Sequence, residues 1–217
     1  MTTPVVTNRS PRMALYAAMF CLPLVACQRA SVPPALTPAQ LVARDRGIPP
    51  YTKADVAFMQ GMIGHHAQAV TMAGYAVPNG ASSEVRVLAG RIAVAQTDEI
   101  DFMVNWLQTR NQEVPSTDGA HHHHEGMDMS ARGAMPGMLS PAQLDTLAGA
   151  RGNAFDWYFL TYMIQHHRGA ISMVDDLMRA RSAANDDNVF KFVSDVVADQ
   201  STEIARMELM LKNRRKP

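Results

Sequence analysis

The chain has 217 residues, 47% of them hydrophobic, and its 20 Lys and Arg balance its 20 Asp and Glu. This length favours one domain with a sizeable core. The balanced charge argues against a nucleic-acid-binding protein, which needs excess positive charge to attract phosphates. Aromatic residues make up only 6% while 16 methionines are present, a composition that favours helices over strands.

The start of the chain has the features of a lipoprotein export signal. Arg9 and Arg12 precede a short apolar run that ends in Leu24-Val25-Ala26-Cys27, which resembles a bacterial lipobox. We predict a signal peptide over 1–26, lipid on Cys27 and a tether over 27–36. The mature protein is then periplasmic or at the cell surface, held to a membrane by its lipid alone. An ordinary signal peptide is the alternative.

The rest of the chain contains a duplication. Three pairs of segments match in the same order, namely 37–41 with 140–144, 55–72 with 156–173, and 96–107 with 200–211. Three ordered matches argue against chance, and a repeat of this kind defines the architecture. We therefore divide the chain into a first repeat over 37–110, a connecting loop over 111–139 and a second repeat over 140–213, which together form one domain.

Each repeat is predicted to contain a short helix followed by two long ones. The pairs Thr37-Pro38 and Ser140-Pro141 combine an N-cap with proline at the first helical position, and Gln40 and Gln143 are placed for capping boxes. Apolar spacing and turn residues predict long helices at about 52–76, 82–110, 153–181 and 187–213. Two hairpins that bury their apolar stripes against each other predict an all-α fold, a four-helix bundle.

The connecting loop is rich in metal-binding residue types. Four consecutive histidines, His121, His122, His123 and His124, stand near Met127, Met129, Met135 and Met138 among Gly, Ser and Pro. We interpret 111–139 as a flexible loop without a core of its own. In an exported protein such a run favours metal capture, and a solvated polar loop is the alternative.

A methionine precedes a histidine pair by three residues in each repeat. On a helix, these three side chains lie on neighbouring positions of one side. Imidazole and thioether together suit copper, and the thioether favours Cu(I) over Cu(II). A second methionine follows in each repeat about 10 Å along the axis, at 1.5 Å per residue, so it serves a different site or the core. The candidate ligands on the helices are Met62, His65, His66, Met72, Met163, His166, His167 and Met173.

Folding of each hairpin brings an acidic residue near each histidine pair. Glu99 and Glu203 are placed to accept from an imidazole and fix its tautomer, although ordinary polar residues at a helix interface have the same pattern. Asp55 and Asp156 stand in the first turns of their helices, where acids suit the helix dipole. Hydrogen-bonded core histidines without metal are the alternative for the pairs themselves.

The segments Met62-Ile63-Gly64-His65-His66 and Met163-Ile164-Gln165-His166-His167, with a methionine behind each, resemble the bacterial domain-of-unknown-function family 305. The resemblance covers about 50–213 without the 111–139 loop. It implies a ferritin-like helical fold, and it implies copper handling, because some members are associated with periplasmic copper binding and copper tolerance.

These features predict a non-catalytic lipoprotein that binds copper and sequesters it or passes it to a copper-transport partner. An enzyme is not expected, because the sequence has neither the Glu-x-x-His motifs of di-iron oxidases nor the His-Glu-x-x-His motif of zinc proteases. A structural or interaction module of the cell envelope, with its histidine pairs internal, is the alternative function.

Overall fold

The computed structural model describes residues 36–45, 47, 50–116 and 135–217. That part of the chain contains no strand, and its six helices are α1 (Pro38–Asp45), α2 (Lys53–Gly74), α3 (Ser83–Thr109), α4 (Pro141–Gly149), α5 (Gly152–Arg179) and α6 (Asp187–Lys212). The predicted all-α class is confirmed. None of the helices in these ranges is long and apolar enough to cross a membrane. The predicted signal peptide with Cys27 and the run His121–His124 lie outside the described residues.

Side-chain caps explain where the helices begin. Thr52 accepts from the Asp55 backbone N–H at 3.2 Å, and the Asp55 carboxylate accepts from the Thr52 N–H at 2.7 Å, which makes a capping box at the start of α2. Ser140 and Gln143 form the capping box predicted for α4. Each reciprocal pair satisfies two backbone donors that a helix start leaves free.

The helices pack as two hairpins joined through α2 and α5. Within the hairpins α2 packs on α3 and α5 packs on α6, and α2 and α5 contact each other between the repeats. Two apolar clusters take residues from all four long helices, the first around Phe58, Trp106 and Phe192 and the second around Leu88 and Phe155. The repeats therefore share their cores, and each of the four long helices supplies residues to both clusters.

The histidine pairs lie between these two clusters. Along α2, Phe58 to Ile63 belong to the first cluster and Ala69 to Ala73 to the second, whereas α5 enters the second cluster first and reaches the first from Ala170 onward. The two helices therefore run in opposite directions past the same point, and the histidine pair of each occupies the stretch between its two apolar segments.

Two buried aspartates link the repeats. Asp55 accepts from the Ala184 N–H at 2.7 Å, and Asp156 accepts from the Ser82 N–H at 3.1 Å. Each carboxylate thus binds the backbone between the long helices of the other repeat. Their first-turn position was predicted, but this link between repeats was not, because it depends on how the hairpins pack.

Residues 135–139, here called the strap, differ from the predicted flexible loop. Leu139 is buried, its N–H donates to Gln68 Oε1 at 2.8 Å, and its carbonyl accepts from Gln68 Nε2 at 3.2 Å. Gly137, with φ of +77°, passes directly over Gly169 of α5. The Pro and Gly residues favoured a loop, but here the paired glycines let two backbones touch, so the strap packs on α2 and α5.

Candidate metal centre

The two histidine pairs meet at the contact between α2 and α5. The ring centroids of His65 and His166 are 3.8 Å apart with the planes inclined by 41°. Within each pair the centroids are 6.4 Å apart for His65 and His66 and 6.3 Å for His166 and His167. All four side chains, here called the His cluster, are fully buried. The sequence analysis left the distance between the two pairs open, and the fold brings His65 and His166 into contact between the repeats.

Three imidazoles of the His cluster turn their Nε2 atoms toward an oxygen. His65 Nε2 is 3.0 Å from the Pro136 carbonyl oxygen of the strap. His167 Nε2 is hydrogen-bonded to Glu203 Oε2 at 2.6 Å. His66 Nε2 lies 2.7 Å from Glu99 Oε2, a close polar contact whose angle is not that of a hydrogen bond. Glu99 and Glu203 thus stand where the hairpin spacing predicted them.

The opposite ring nitrogens have no partner. Nδ1 of every imidazole in the His cluster is buried without a hydrogen bond to the described residues, and so are Nε2 of His66, despite its contact with Glu99, and Nε2 of His166. An unpaired buried polar group costs about 1–3 kcal/mol and needs an explanation such as a bound ion. Unprotonated imidazole nitrogen is a ligand for copper and zinc, so this donor set fits a transition-metal ion.

Burial keeps at least two of these rings neutral. Desolvation, reinforced by the neighbouring His66, lowers the pKa of His65 to about 3. Desolvation, followed by the facing His65, lowers the pKa of His166 well below 6.5. A neutral imidazole keeps the lone pair that binds a metal, so no proton has to be displaced at neutral pH.

The methionines divide between the core and the surroundings of the His cluster. Met62 and Met163, one turn before the pairs, are fully buried, and Met72 is buried in the second apolar cluster. Met173 is half-buried, and its methyl group lies beside Gly61, where the Met135 sulfur of the strap is also found, each 3.5 Å from the position of a Cβ on that glycine. The fold thus adds Met135 to the methionines near α2.

Nitrogen and oxygen ligands alone do not form a finished site. In the described ranges, no three side chains of His, Cys, Asp and Glu are gathered so that they could hold a metal ion. An ion bound here would therefore need thioether ligands as well, or a movement of the rings. Thioether sulfur is a soft ligand and selects Cu(I), so the methionines next to the histidine pairs matter for the identity of the ion.

Two buried glutamines were not predicted as site residues. Gln96 and Gln200 are each 2% exposed, and neither side-chain amide has a partner in the described part of the chain. They precede Glu99 and Glu203 by one helical turn and match each other in the duplication. The duplication could have identified them, because a glutamine found at the same core position of both repeats suggests that its amide group has a role there.

Acid will destabilise the metal-free protein through His65 and His166. Since their folded pKa values lie below the value of 6.5 for the free side chain, the unfolded chain binds more protons below that pH, and stability falls as the pH drops. We expect a loss of about 2 kcal/mol between pH 6.5 and pH 5 from His65 alone, because the slope approaches about 1.4 kcal/mol per pH unit once the unfolded side chain is protonated, and His166 adds to this loss. Urea unfolding across this range measures it, and a stability that does not change would contradict the neutral rings.

Known proteins are similar to this chain in sequence and in fold. A family model described as a domain of unknown function, DUF305, matches residues 55–211, which include both histidine pairs. A crystal structure of a DUF305 fragment from Deinococcus radiodurans is 30% identical, with a TM-score of 0.62, over 76% of this chain and 99% of that chain. A DUF305 protein from Streptomyces coelicolor, described provisionally as secreted, is 28% identical with the same TM-score, over 76% of this chain and 96% of the other.

CopM is also similar, and its solved forms contain metal. Its Cu(II)-bound form is 28% identical, with a TM-score of 0.57, over 73% of this chain and 96% of that chain. Its Cu(I)-bound form is 28% identical, with a TM-score of 0.54, over 76% and 98% of the two chains. No curated protein matches the chain.

Proposed function

We propose that this chain, which belongs to the DUF305 family, binds copper at the His cluster. One observation carries the proposal: four buried imidazoles from both repeats meet, and each has an Nδ1 atom without a partner. A folded protein that does not bind metal gains nothing from four such nitrogens, because each costs desolvation free energy. A copper ion would give them a partner.

The nearby methionines favour Cu(I) as the bound form. Thioether sulfur selects Cu(I), whereas imidazole accepts both oxidation states. The two similar CopM structures contain Cu(II) and Cu(I) respectively, which supports copper binding here without choosing between the states. The ligands that we propose are the His cluster with Met62 and Met163, and Met72 and Met173 are further candidates.

The proposal includes the place of the protein in the cell. The apolar run and the lipobox-like end at Cys27 support an exported lipoprotein that a lipid anchors in the periplasm or at the cell surface. The four long helices form a ferritin-like four-helix bundle, and the His121–His124 loop makes the first contact with incoming ions. The protein sequesters the copper or passes it to a transport partner, with no catalysis.

A competitive titration with a chromogenic Cu(I) chelator tests this function. The full chain should take Cu(I) from the chelator, and its thermal unfolding temperature should rise when Cu(I) is added, because a ligand that binds only the folded state stabilises it. A chain that leaves all Cu(I) with the chelator would favour the alternative, a structural or interaction module of the envelope.

Changing Glu99 and Glu203 to glutamine will weaken the copper site without unfolding it. The amide keeps the size of each side chain but removes the negative charge that lies 2.7 Å from His66 and 2.6 Å from His167. Loss of such a partner of a metal-binding histidine typically lowers metal affinity about 10–100-fold. Titration measures the affinity, Glu208→Gln on the exposed face of α6 is the control, and equal affinities in all three proteins would contradict the role of the two carboxylates.

A further inference from the structure

Oxygen atoms from three different elements lie close to Nε2 of three rings in the His cluster. The strap places the Pro136 carbonyl 3.0 Å from His65 Nε2, α6 places Glu203 Oε2 2.6 Å from His167 Nε2, and α3 places Glu99 Oε2 2.7 Å from His66 Nε2. Nδ1 has no partner in any of these three rings, and Nε2 of His66 has the close Glu99 contact but no aligned hydrogen bond. We propose that the His cluster takes up its metal ion through Nδ1 and that the strap enforces this at His65. The inference rests on the proposed copper function and names the ligand atom.

Elementary hydrogen-bond chemistry fixes the tautomer of His65. A peptide carbonyl can only accept a hydrogen bond, so the imidazole must donate from Nε2. A neutral imidazole carries one N–H, and its other nitrogen carries the lone pair. The Pro136 carbonyl therefore leaves the lone pair on Nδ1 of His65, inside the protein. A carboxylate oxygen of Glu203 as acceptor at 2.6 Å gives His167 the same tautomer.

Anchoring one ring nitrogen is how metal-binding histidines are usually oriented. A histidine ligand commonly donates its second N–H to a carboxylate or a backbone carbonyl, which sets the tautomer and the direction of the ring. Here the Glu203 carboxylate and the Pro136 backbone carbonyl are such acceptors, and the Glu99 carboxylate lies close to the same atom of His66. Neither nitrogen of His166 makes an aligned hydrogen bond in the described part of the chain, although the backbone of His65 acts on this ring as an acceptor.

Backbone contact holds the strap in place. Gln68 makes two hydrogen bonds to Leu139, at 2.8 and 3.2 Å, and Gln165 Nε2 donates to the Gly137 carbonyl at 3.3 Å. A Cβ on Gly169 would stand 2.0 Å from the Pro136 carbonyl oxygen and 2.5 Å from Gly137 Cα. The colliding atoms are backbone, so no side-chain rotation relieves the clash. The Gly169→Ala change must therefore move the strap, and the Pro136 carbonyl with it.

The test uses the full chain with ¹⁵N-labelled histidine and silver(I) alone as a diamagnetic probe for Cu(I). Long-range ¹H–¹⁵N spectra of the metal-free protein should show His65, His66 and His167 as Nε2–H tautomers at neutral pH. After Ag(I) is added, one-bond ¹⁵N–silver coupling should appear at Nδ1 atoms. Coupling at Nε2 atoms instead would overturn the inference and leave the metal-binding function intact, while absence of Ag(I) binding would overturn both.

Gly169→Ala tests the strap, with Gly90→Ala as its control. Gly90 is also helical and exposed, and a Cβ there meets nothing within 4 Å. We expect Gly169→Ala to give His65 a mixture of tautomers and to lower Ag(I) affinity about 10–100-fold, the range for loss of such a partner, while Gly90→Ala changes neither. A pure Nε2–H signal for His65 in folded Gly169→Ala would overturn the role of the strap.

A second pair of variants covers a failure of Gly169→Ala to fold. Gln68→Ala removes both hydrogen bonds to Leu139 and leaves the glycine contact unchanged. Gln60→Ala, on the same helix, removes one hydrogen bond from Gln60 Nε2 to the Glu113 carbonyl, which is outside the strap. Only Gln68→Ala should alter the His65 tautomer, and an identical His65 signal in both variants would count against the strap.

Discussion

The variant in which all four residues of the His cluster are leucine will no longer bind Cu(I) on its helices. Leucine is close to histidine in size but has no lone pair, so the donor atoms disappear while the volume stays nearly the same. The wild-type protein should gain about 4 kcal/mol of stability when free Cu(I) is a thousand times its dissociation constant, and the variant should lose this gain. Thermal unfolding with and without Cu(I), beside the competitive titration, measures both effects.

The single variant His166→Leu separates loss of a ligand from loss of fold. Because neither ring nitrogen of His166 makes an aligned hydrogen bond, its replacement by an apolar side chain of similar size should not destabilise the metal-free protein, which chemical denaturation measures. Copper affinity should fall in the same protein. If the folded four-leucine variant of the preceding paragraph binds copper as strongly as the wild type, the copper site would instead be the His121–His124 loop.

The helices could be predicted because their signals are local or repeated. Proline at the first helical position, capping residues and apolar spacing act within a few residues, so α2, α3, α5 and α6 begin and end within about two residues of the predicted positions. The duplication predicted the candidate ligands. The same pattern of a methionine followed by a histidine pair occurs at Met62 and again at Met163, which identifies it as a motif. Glu99 and Glu203 followed from the length of the hairpins.

The contact between the repeats could not be read from the sequence. His65 and His166 are 101 residues apart in the chain, and their contact depends on how α2 crosses α5, which neither helix determines alone. The strap was missed for a related reason. Its sequence, Met-Pro-Gly-Met-Leu, has the composition of a loop, and only the glycine on the opposite helix makes its backbone contact possible.

The strap also gives the two halves of the duplication different chemistry. His65 is hydrogen-bonded to the Pro136 carbonyl of the strap, whereas its counterpart His166 is acted on by the backbone of His65 and makes no aligned hydrogen bond in the described ranges. The strap belongs to the connection between the repeats, which exists once, so it can contact only one of the two pairs in this way. A site made from a duplicated hairpin thus contains two central rings with different surroundings.

Asp186→Ala will destabilise the protein more than any change on its surface. Asp186 is fully buried, contacts the guanidinium of Arg110, accepts from the Trp106 indole at 3.3 Å and caps α6 through the Asn188 N–H at 2.9 Å. Its removal leaves the buried charge of Arg110 without its carboxylate partner, and loss of one partner of a buried ion pair typically costs about 3–5 kcal/mol. Chemical denaturation measures the loss, with Asp176→Ala at the exposed pair with Arg179 as the control.

The Asp186 link joins the end of α3 in one repeat to the start of α6 in the other, so it stabilises the packing of repeats on which the His cluster depends. Its residues are not ligands in the proposed site. In folded Asp186→Ala protein, Cu(I) should therefore raise the free energy of unfolding by the same amount as in the wild type, because effects at separate sites add. A smaller increase would show that the link also holds the two histidine pairs in register, and the copper site would then depend on the interface between the repeats beyond its ligands.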